Sequence, residues 1–278
     1  MLTDAHCHPF DMVQVFSECE KKRRQLNVMA AASACTTEEF LYHCELSRNA
    51  KINNAAALLP CFGIHPQFLS QKCSHKDTEA RRNNSGNKTI ITDLLNILND
   101  LAEEKQIAAI GECGFDLYSD EYKETETQQE IIFAEQLETA LKHDLPLVLH
   151  VRRAMHKIFA DTKKLAKCKA VVFHTWPGTP EEAQALLSKG INAYFSFGNI
   201  IMLNHKKAIK SCAILPSQRL LTETDAPYAP RRGEAFSRWE DLPLILKTMA
   251  ELRNENINEL ENIIENNFRN VFGKSSHS

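Results

Sequence analysis

The chain has 278 residues, of which 43% are hydrophobic, and it carries a formal net charge of −3 with an isoelectric point of about 6.4. This length can bury one large core, and the slightly acidic charge argues against a general nucleic-acid binder, which is usually basic. A polyanionic substrate would therefore have to be attracted by a local site.

The cysteines indicate a reducing compartment. Nine cysteines are scattered along the chain without a Cys-x-x-Cys pair, which favours free thiols over a disulfide framework. The first residues lack a basic-then-apolar leader, and no apolar run approaches the ~20 residues that span a bilayer. We therefore predict a cytoplasmic protein without membrane association, and nothing in the sequence implies an obligate protein partner.

Short apolar, β-prone segments recur along the chain, and longer segments with apolar residues at helical spacing separate them. The eight predicted strands are Leu2–His8, Val28–Ala34, Leu58–His65, Ile107–Glu112, Leu145–Val151, Ala170–His174, Ile191–Phe197 and Arg219–Asp225.

Two of the segments between these strands illustrate the helical pattern. One carries Leu94, Ile97, Leu98 and Leu101 on one stripe, and the other places Ile131, Ala134, Leu137, Glu138 and Leu141 on successive turns. Alternating strands and helices predict parallel strands with crossover helices, and eight such units in about 250 residues match a (β/α)8 TIM barrel. A doubly wound open sheet is the alternative, although no strand is followed by Gly-x-Gly-x-x-Gly.

We predict a single domain over residues 1–278, with two features beyond the eight units. Residues 236–272 carry two further helical stripes, expected to pack around the first strand. Residues 72–88 are polar, have no apolar period and contain five Lys or Arg residues. This stretch is predicted to be a solvated insertion, with a basic flap beside the site as the alternative.

The first strand carries polar side chains at every second position. Residues i, i+2 and i+4 of a strand face the same side, so Asp4, His6 and His8 are expected to project together. Cys7 would point the other way, and we discount it as a ligand. One His-x-His pair is a weak signal on its own, so its weight depends on what ends the other strands.

Five further predicted strands also end in a histidine or a carboxylate. A charged group at the end of a buried strand is costly unless it is paired or bound to metal. The active sites of barrels lie at the carboxyl ends of their strands, so these side chains are expected to meet at one rim. They are His65, Glu112, His150, His174, Glu223 and Asp225. The other histidines are predicted to lie on the surface: His43, His75, His143, His156, His205 and His277.

Imidazoles and carboxylates without a thiolate favour Zn, Mn, Co or Mg. The predicted set is too large for one tetrahedral ion and suits two ions ~3.5–4 Å apart, bridged by a carboxylate. Glu112 from the middle strand is the natural bridge, and Asp225 is placed to take a proton from an activated water.

Six short motifs occur in the order and spacing of the TatD-like metal-dependent DNases of the amidohydrolase-like barrel superfamily. They are DAHCHPF, CFGIHP, GECGFD, LVLHVRRA, VFHTWPG and LLTETDAPY, and the resemblance runs from residue 2 to about 272. The resemblance implies a phosphodiester hydrolase, usually a deoxyribonuclease that removes nucleotides from a 3′ end, with DNA as the substrate.

The resemblance also implies roles for individual residues. His6, His8, Glu112 and Asp225 would hold one divalent ion, and Glu112, His150 and His174 the second, with Mg, Mn or Zn as the metal. His65 would lie near the substrate phosphate, and Glu223 would assist Asp225. The expected substrate is single-stranded DNA or a frayed end.

The chain departs from the family pattern at two rim positions. Arg152 keeps the family's arginine and is a candidate phosphate ligand, whereas Arg153 replaces the usual acidic residue. Trp176 stands where the family commonly has Phe, and it could either stack on a base or pack in the core. Asp116 is expected to cap a loop or to support a ligand rather than to bind metal.

A hydrolase of esters or amides, such as an aminoacyl-nucleic-acid deacylase, is the alternative function, since the same activated water attacks carbon or phosphorus. The arginines of the rim discriminate between the two functions, because a carbonyl substrate would not need Arg152, Arg153, Arg231 and Arg232. A barrel that has lost catalysis and binds a partner would lack one or more ligands, and here none is missing.

Overall fold

The structure, a computed structural model, describes residues 1–70 and 84–273, without the side chains of residues 84–88. Eight strands form one parallel sheet in chain order. They are β1 Thr3–Cys7, β2 Met29–Ala34, β3 Leu58–Phe62, β4 Ile110–Asp116, β5 Leu147–Arg152, β6 Val171–Phe173, β7 Ala193–Phe197 and β8 Leu220–Thr222. Every predicted strand is present, with its ends shifted by a few residues.

Helices follow the strands, and β1, β4, β5 and β8 are each followed by two. The α-helices among the described residues are α1 Pro9–Val15, α2 Cys19–Gln25, α3 Thr37–Ile52, α4 Asn84–Glu103, α5 Asp120–Glu124, α6 Glu126–His143, α7 Met155–Ala160, α8 Thr162–Leu165, α9 Pro180–Ser188, α10 Lys206–Ile214, α11 Leu242–Arg253 and α12 Ile257–Phe272. None of these helices has the length and apolar character of a membrane span.

The last strand closes the barrel on the first. Asp225 N donates to His6 O at 3.0 Å, and His8 N donates to Ala226 O at 2.8 Å. The (β/α)8 barrel prediction is therefore confirmed, and three of the predicted ligands, His6, His8 and Asp225, lie at the seam between β1 and β8.

Asp4 stabilises this seam and does not join the two histidines. Its carboxylate accepts hydrogen bonds from Thr224 N at 2.9 Å and Thr224 Oγ1 at 2.6 Å. The expectation that Asp4 projects with His6 and His8 is wrong, because β1 is irregular between Asp4 and Cys7, where its register against β2 shifts.

The barrel interior is filled beneath the predicted site. Val148, Val172 and Leu221 pack in one buried cluster, and each lies two residues before a predicted site residue on the same strand face. A larger cluster lies between the sheet and the surrounding helices. Cys7 is fully buried in a packing cluster away from the ligands, as expected, and Cys113 is fully buried in another.

The structure corrects two sequence-based expectations and leaves a third untested. On α6 the buried apolar face is formed by Ile132, Phe133, Leu137 and Ala140, whereas Ile131 is 59% exposed. α4 begins at Asn84, so the last part of the predicted insertion 72–88 is helical. Residues 71–83 lie outside the described residues, and the single domain over 1–278 stays a prediction.

Candidate metal centre

Glu112 occupies the middle of the rim, and its two carboxylate oxygens face different histidines. Oε1 lies 2.6 Å from His150 Nδ1 and 2.8 Å from His174 Nε2. Oε2 lies 3.1 Å from His6 Nε2 and 3.6 Å from His8 Nε2. One buried carboxylate therefore joins two pairs of imidazoles.

Asp225 completes the group around β1. Its Oδ1 lies 3.5 Å from His6 Nε2 and also 3.5 Å from His8 Nε2. The other nitrogen of His6, Nδ1, lies 3.1 Å from Ser33 Oγ at the end of β2. A hydrogen on Nδ1 donated to Ser33 would leave His6 Nε2 free to bind a cation.

His150 is held from behind by Asp116. Its Nε2 lies 3.0 Å from Asp116 Oδ2 and its Nδ1 lies 2.6 Å from Glu112 Oε1, so the two carboxylates fix the orientation of the ring between them. Asp116 is fully buried and also caps the following loop, since Tyr118 N donates to Oδ1 at 2.9 Å. Burial alone would raise the pKa of Asp116, but hydrogen bonds from His150 and Gln67 outweigh it and lower the pKa to about 2.

His65 has a different protonation pattern from the other histidines. Gln67 N donates to His65 Nδ1 at 3.1 Å, so in the neutral ring the hydrogen is on Nε2. Nε2 lies 3.2 Å from Glu112 Oε1 and is a hydrogen-bond donor there. Sequence reasoning missed Gln67, which also donates from its side chain to Asp116 Oδ2 at 2.7 Å.

Glu223 lies under His174. Thr175 donates to its Oε1 from N at 2.6 Å and from Oγ1 at 2.5 Å. His174 Nδ1, which is buried without a hydrogen-bond partner, lies 3.8 Å from the same oxygen. Burial raises the pKa of Glu223.

The electrostatics of the cluster favour ionised Glu112 and Asp225. Burial would raise the pKa of both, but the surrounding histidines outweigh it and lower the pKa of each carboxyl group. Burial also opposes protonation of His8 and His174, yet Asp225 and Glu112 raise the pKa of His8 to about 9, and Glu112 above all raises that of His174 to about 10. Burial and His174 lower the pKa of His6 to about 4.

The donor set fits divalent cations. Three overlapping groups have ligand atoms within 4.8 Å of one another: His6, Glu112 and His174; His6, His8 and Asp225; His65, Glu112 and His150. Imidazole nitrogens also face one another, with His6 Nε2 3.1 Å from His8 Nε2 and His150 Nδ1 3.3 Å from His174 Nε2. Imidazole nitrogens and carboxylate oxygens that converge this closely are an arrangement that a cation stabilises.

The structure decides between the two interpretations of Trp176 and contradicts the surface prediction for His43. Trp176 is fully buried and packs 5.5 Å from Phe173 and 4.8 Å from Phe195 between ring centroids, so it cannot stack on a base. His43 is fully buried on α3, where Nε2 accepts from Phe10 N at 3.4 Å and burial lowers the pKa to about 3.

The rim arginines differ in their partners. Arg231 Nε donates to the buried carboxylate of Asp241 at 2.8 Å and has a structural role. Arg152, Arg153 and Arg232 are exposed.

The chain is similar to a nuclease, a metal-dependent hydrolase and a protein of known structure. A 3′-5′ ssDNA/RNA exonuclease TatD from Pantoea ananatis is 37% identical over 190 residues, covering 65% of this chain and 72% of that protein. A metal-dependent hydrolase of Mycoplasma genitalium is 28% identical over 281 residues, covering 97% and 98%. The crystal structure of the TatD homologue YjjV from Escherichia coli superimposes with a TM-score of 0.80 at 26% identity and covers 99% of this chain and 98% of that one. The model of the TatD related DNases matches residues 3–273, and the chain belongs to this family.

Proposed function

We propose that the chain is a divalent-metal-dependent deoxyribonuclease that removes nucleotides from the 3′ end of single strands or frayed ends with the help of two ions. The position of Glu112 carries this proposal, because its two oxygens face two separate pairs of histidines. A carboxylate that bridges two ions needs this division of its oxygens.

The proposed ligand sets follow the two sides of Glu112. His6, His8 and Asp225 would join Oε2 around one ion, and His150 and His174 would join Oε1 around the other. Bound divalent ions lower the pKa of a water molecule and neutralise charge on phosphate oxygens.

The chain's own groups would then handle protons and orientation. The ionised Asp225 accepts the proton of the attacking water. His65 would donate its Nε2 hydrogen to a phosphate oxygen of the bound substrate. In the structure, this hydrogen points to Glu112 Oε1, which lies 3.2 Å from Nε2. Glu223 would support the ring of His174 through its charge, since its Oε1 lies 3.8 Å from His174 Nδ1.

The choice of nucleic acid over a carbonyl substrate rests on the surroundings and on the relatives. The P. ananatis relative is named as an exonuclease of single-stranded DNA and RNA, and exposed arginines lie on the rim. A cytoplasmic location is proposed as well, since seven cysteines have free thiols: Cys7, Cys19, Cys44, Cys61, Cys113, Cys168 and Cys212.

Digestion of end-labelled single strands tests the function. Oligodeoxynucleotides labelled at the 5′ or the 3′ end would be incubated with Mg²⁺, Mn²⁺ or EDTA. We expect metal-dependent release of the 3′ label in the first turnover and stepwise shortening of the 5′-labelled strand. Asp225→Asn should reduce the rate at least about a hundredfold, because it removes the general base and a ligand.

Absence of cleavage with every metal, despite bound ions, would contradict the nuclease proposal. Hydrolysis of an aminoacyl ester by the same metal-loaded preparation would then support the ester or amide hydrolase alternative. Cleavage that is equally fast in EDTA would argue against metal dependence and point to a contaminating nuclease.

A further inference from the structure

Two arginines on the rim lie over the ring of the same tyrosine. Arg152 ends β5, Arg153 follows it, and Tyr118 follows the neighbouring strand β4. The guanidinium carbons of Arg152 and Arg153 lie 4.2 and 4.5 Å from the centroid of the Tyr118 ring. The tyrosine is 49% exposed, and both arginines are exposed.

The two guanidinium groups keep most of their hydrogen-bond donors available. Arg152 Nη1 lies 3.5 Å from Asp116 Oδ2, which is long for a hydrogen bond. Arg153 Nη1 donates to Tyr118 O at 3.4 Å. Each group has five N–H donors, and two like charges held close together favour an anion bound between or beside them.

The cluster lies next to the proposed metal centre. Arg152 is two residues after His150 on β5, so both side chains face the same side of the strand. Asp116 Oδ2 contacts both of them, at 3.0 Å from His150 Nε2 and 3.5 Å from Arg152 Nη1. One side chain therefore separates the arginine from a proposed ligand.

We propose that Arg152 and Arg153, positioned by Tyr118, bind the phosphate group that neighbours the scissile phosphate in a nucleic-acid strand, a proposal that rests on the nuclease function. Guanidinium groups match phosphate oxygens with paired hydrogen bonds. Because two of them already lie over its ring, Tyr118 positions the arginines rather than stacking on a base. This site supplies the local positive charge that a chain of net charge −3 needs to attract a polyanion.

Binding of a single strand without catalysis tests the site. The Kd of a fluorescein-labelled oligodeoxynucleotide would be measured by anisotropy in EDTA for the wild type, Arg153→Glu and Arg153→Gln. We expect Arg153→Glu to raise Kd about tenfold or more at low salt. The slope of log Kd against log salt should fall by about 0.7 for each phosphate that the variant no longer neutralises.

Arg48→Glu is the matched control. Arg48 is exposed on α3, and the substitution changes the net charge by the same amount as Arg153→Glu. We expect it to leave Kd within about twofold of the wild type. An Arg153→Glu protein that binds the strand as tightly as Arg48→Glu would overturn the site, and so would a wild type that does not bind the strand at all.

Turnover separates this inference from the function on which it rests. The wild type and Arg153→Glu would be assayed with Mn²⁺ on the oligonucleotide and on bis(4-nitrophenyl) phosphate, which has a single phosphate. We expect a larger rise in KM for the oligonucleotide than for the small diester. A wild type that cleaves neither substrate would refute the nuclease function, whereas cleavage with equal KM changes on both substrates would refute only the neighbouring phosphate site.

Discussion

Asp116 is a buried carboxylate that organises several neighbours without being a proposed ligand. It accepts hydrogen bonds from His150 Nε2, Gln67 Nε2 and Tyr118 N. The first bond fixes the ring orientation of His150 and directs Nδ1 towards Glu112. A carboxylate behind a ligating histidine also raises the basicity of the ring and thereby strengthens the bond to metal.

Asp116→Asn should weaken metal binding about 10–100-fold, because the amide keeps the shape of the side chain and removes its charge. Titration calorimetry with Mn²⁺ or Zn²⁺ measures this affinity without relying on turnover. Asp120→Asn is the control, since the Asp120 side chain is 93% exposed and pairs with Lys123. Equal affinities of the two variants would show that Asp116 does not tune His150.

Among the elements, α6 holds the ends of two strands in place. Gln136 bonds to both backbone groups of Ile64, accepting from N at 2.7 Å and donating to O at 3.2 Å. Two helical turns earlier, Gln129 does the same for Asp116, with distances of 2.9 and 3.0 Å. The helix thereby sets the position of His65, which follows Ile64, and of Asp116 itself.

Gln136→Leu should lower the free energy of unfolding by about 2–4 kcal/mol, because it leaves the buried N–H and C=O of Ile64 without partners. Urea unfolding of the metal-free protein measures the change. Gln128→Leu makes the same substitution at an exposed position of α6, and we expect it to stay within about 0.5 kcal/mol of the wild type. A decrease of similar size in both variants would mean that the hydrogen bonds to Ile64 are not responsible.

The elements also show what the sequence could and could not predict. Strands and ligands follow local rules, since apolar runs mark the strands and the polar residues at their ends mark the rim. Gln136 and Ile64 are 72 residues apart, so no local sequence pattern predicts their contact. A tryptophan at position 176 is compatible both with stacking on a base and with packing in the core. Its ring contacts with Phe173 and Phe195 show that it packs in the core.

On the scale of the whole molecule, the proposed ligands come from strands spread around the barrel. His6 and His8 lie at the end of β1, Glu112 in β4 and His150 in β5, while Asp225 follows β8. Ions bound to this set would connect strands on opposite sides of the β1–β8 seam. Metal binding should therefore stabilise the barrel as a whole.

Addition of metal at about 100 times its Kd should raise the free energy of unfolding by about 2.7 kcal/mol for each site that the unfolded chain does not bind. Unfolding in EDTA and in Mn²⁺ or Zn²⁺ gives this difference from the two urea midpoints. Asp225→Asn should lose much of the increase, since it removes one ligand. Identical midpoints with and without metal would argue against a centre that spans the seam.

The chain order of the proposed ligands has a consequence for biosynthesis. His6 and His8 leave the ribosome first, whereas Asp225 follows the last strand and closes the barrel on β1. On this ligand set the growing chain assembles a complete centre only after β8 has been made. A nascent or truncated chain that ends before residue 225 would therefore be unable to degrade the nucleic acids around it.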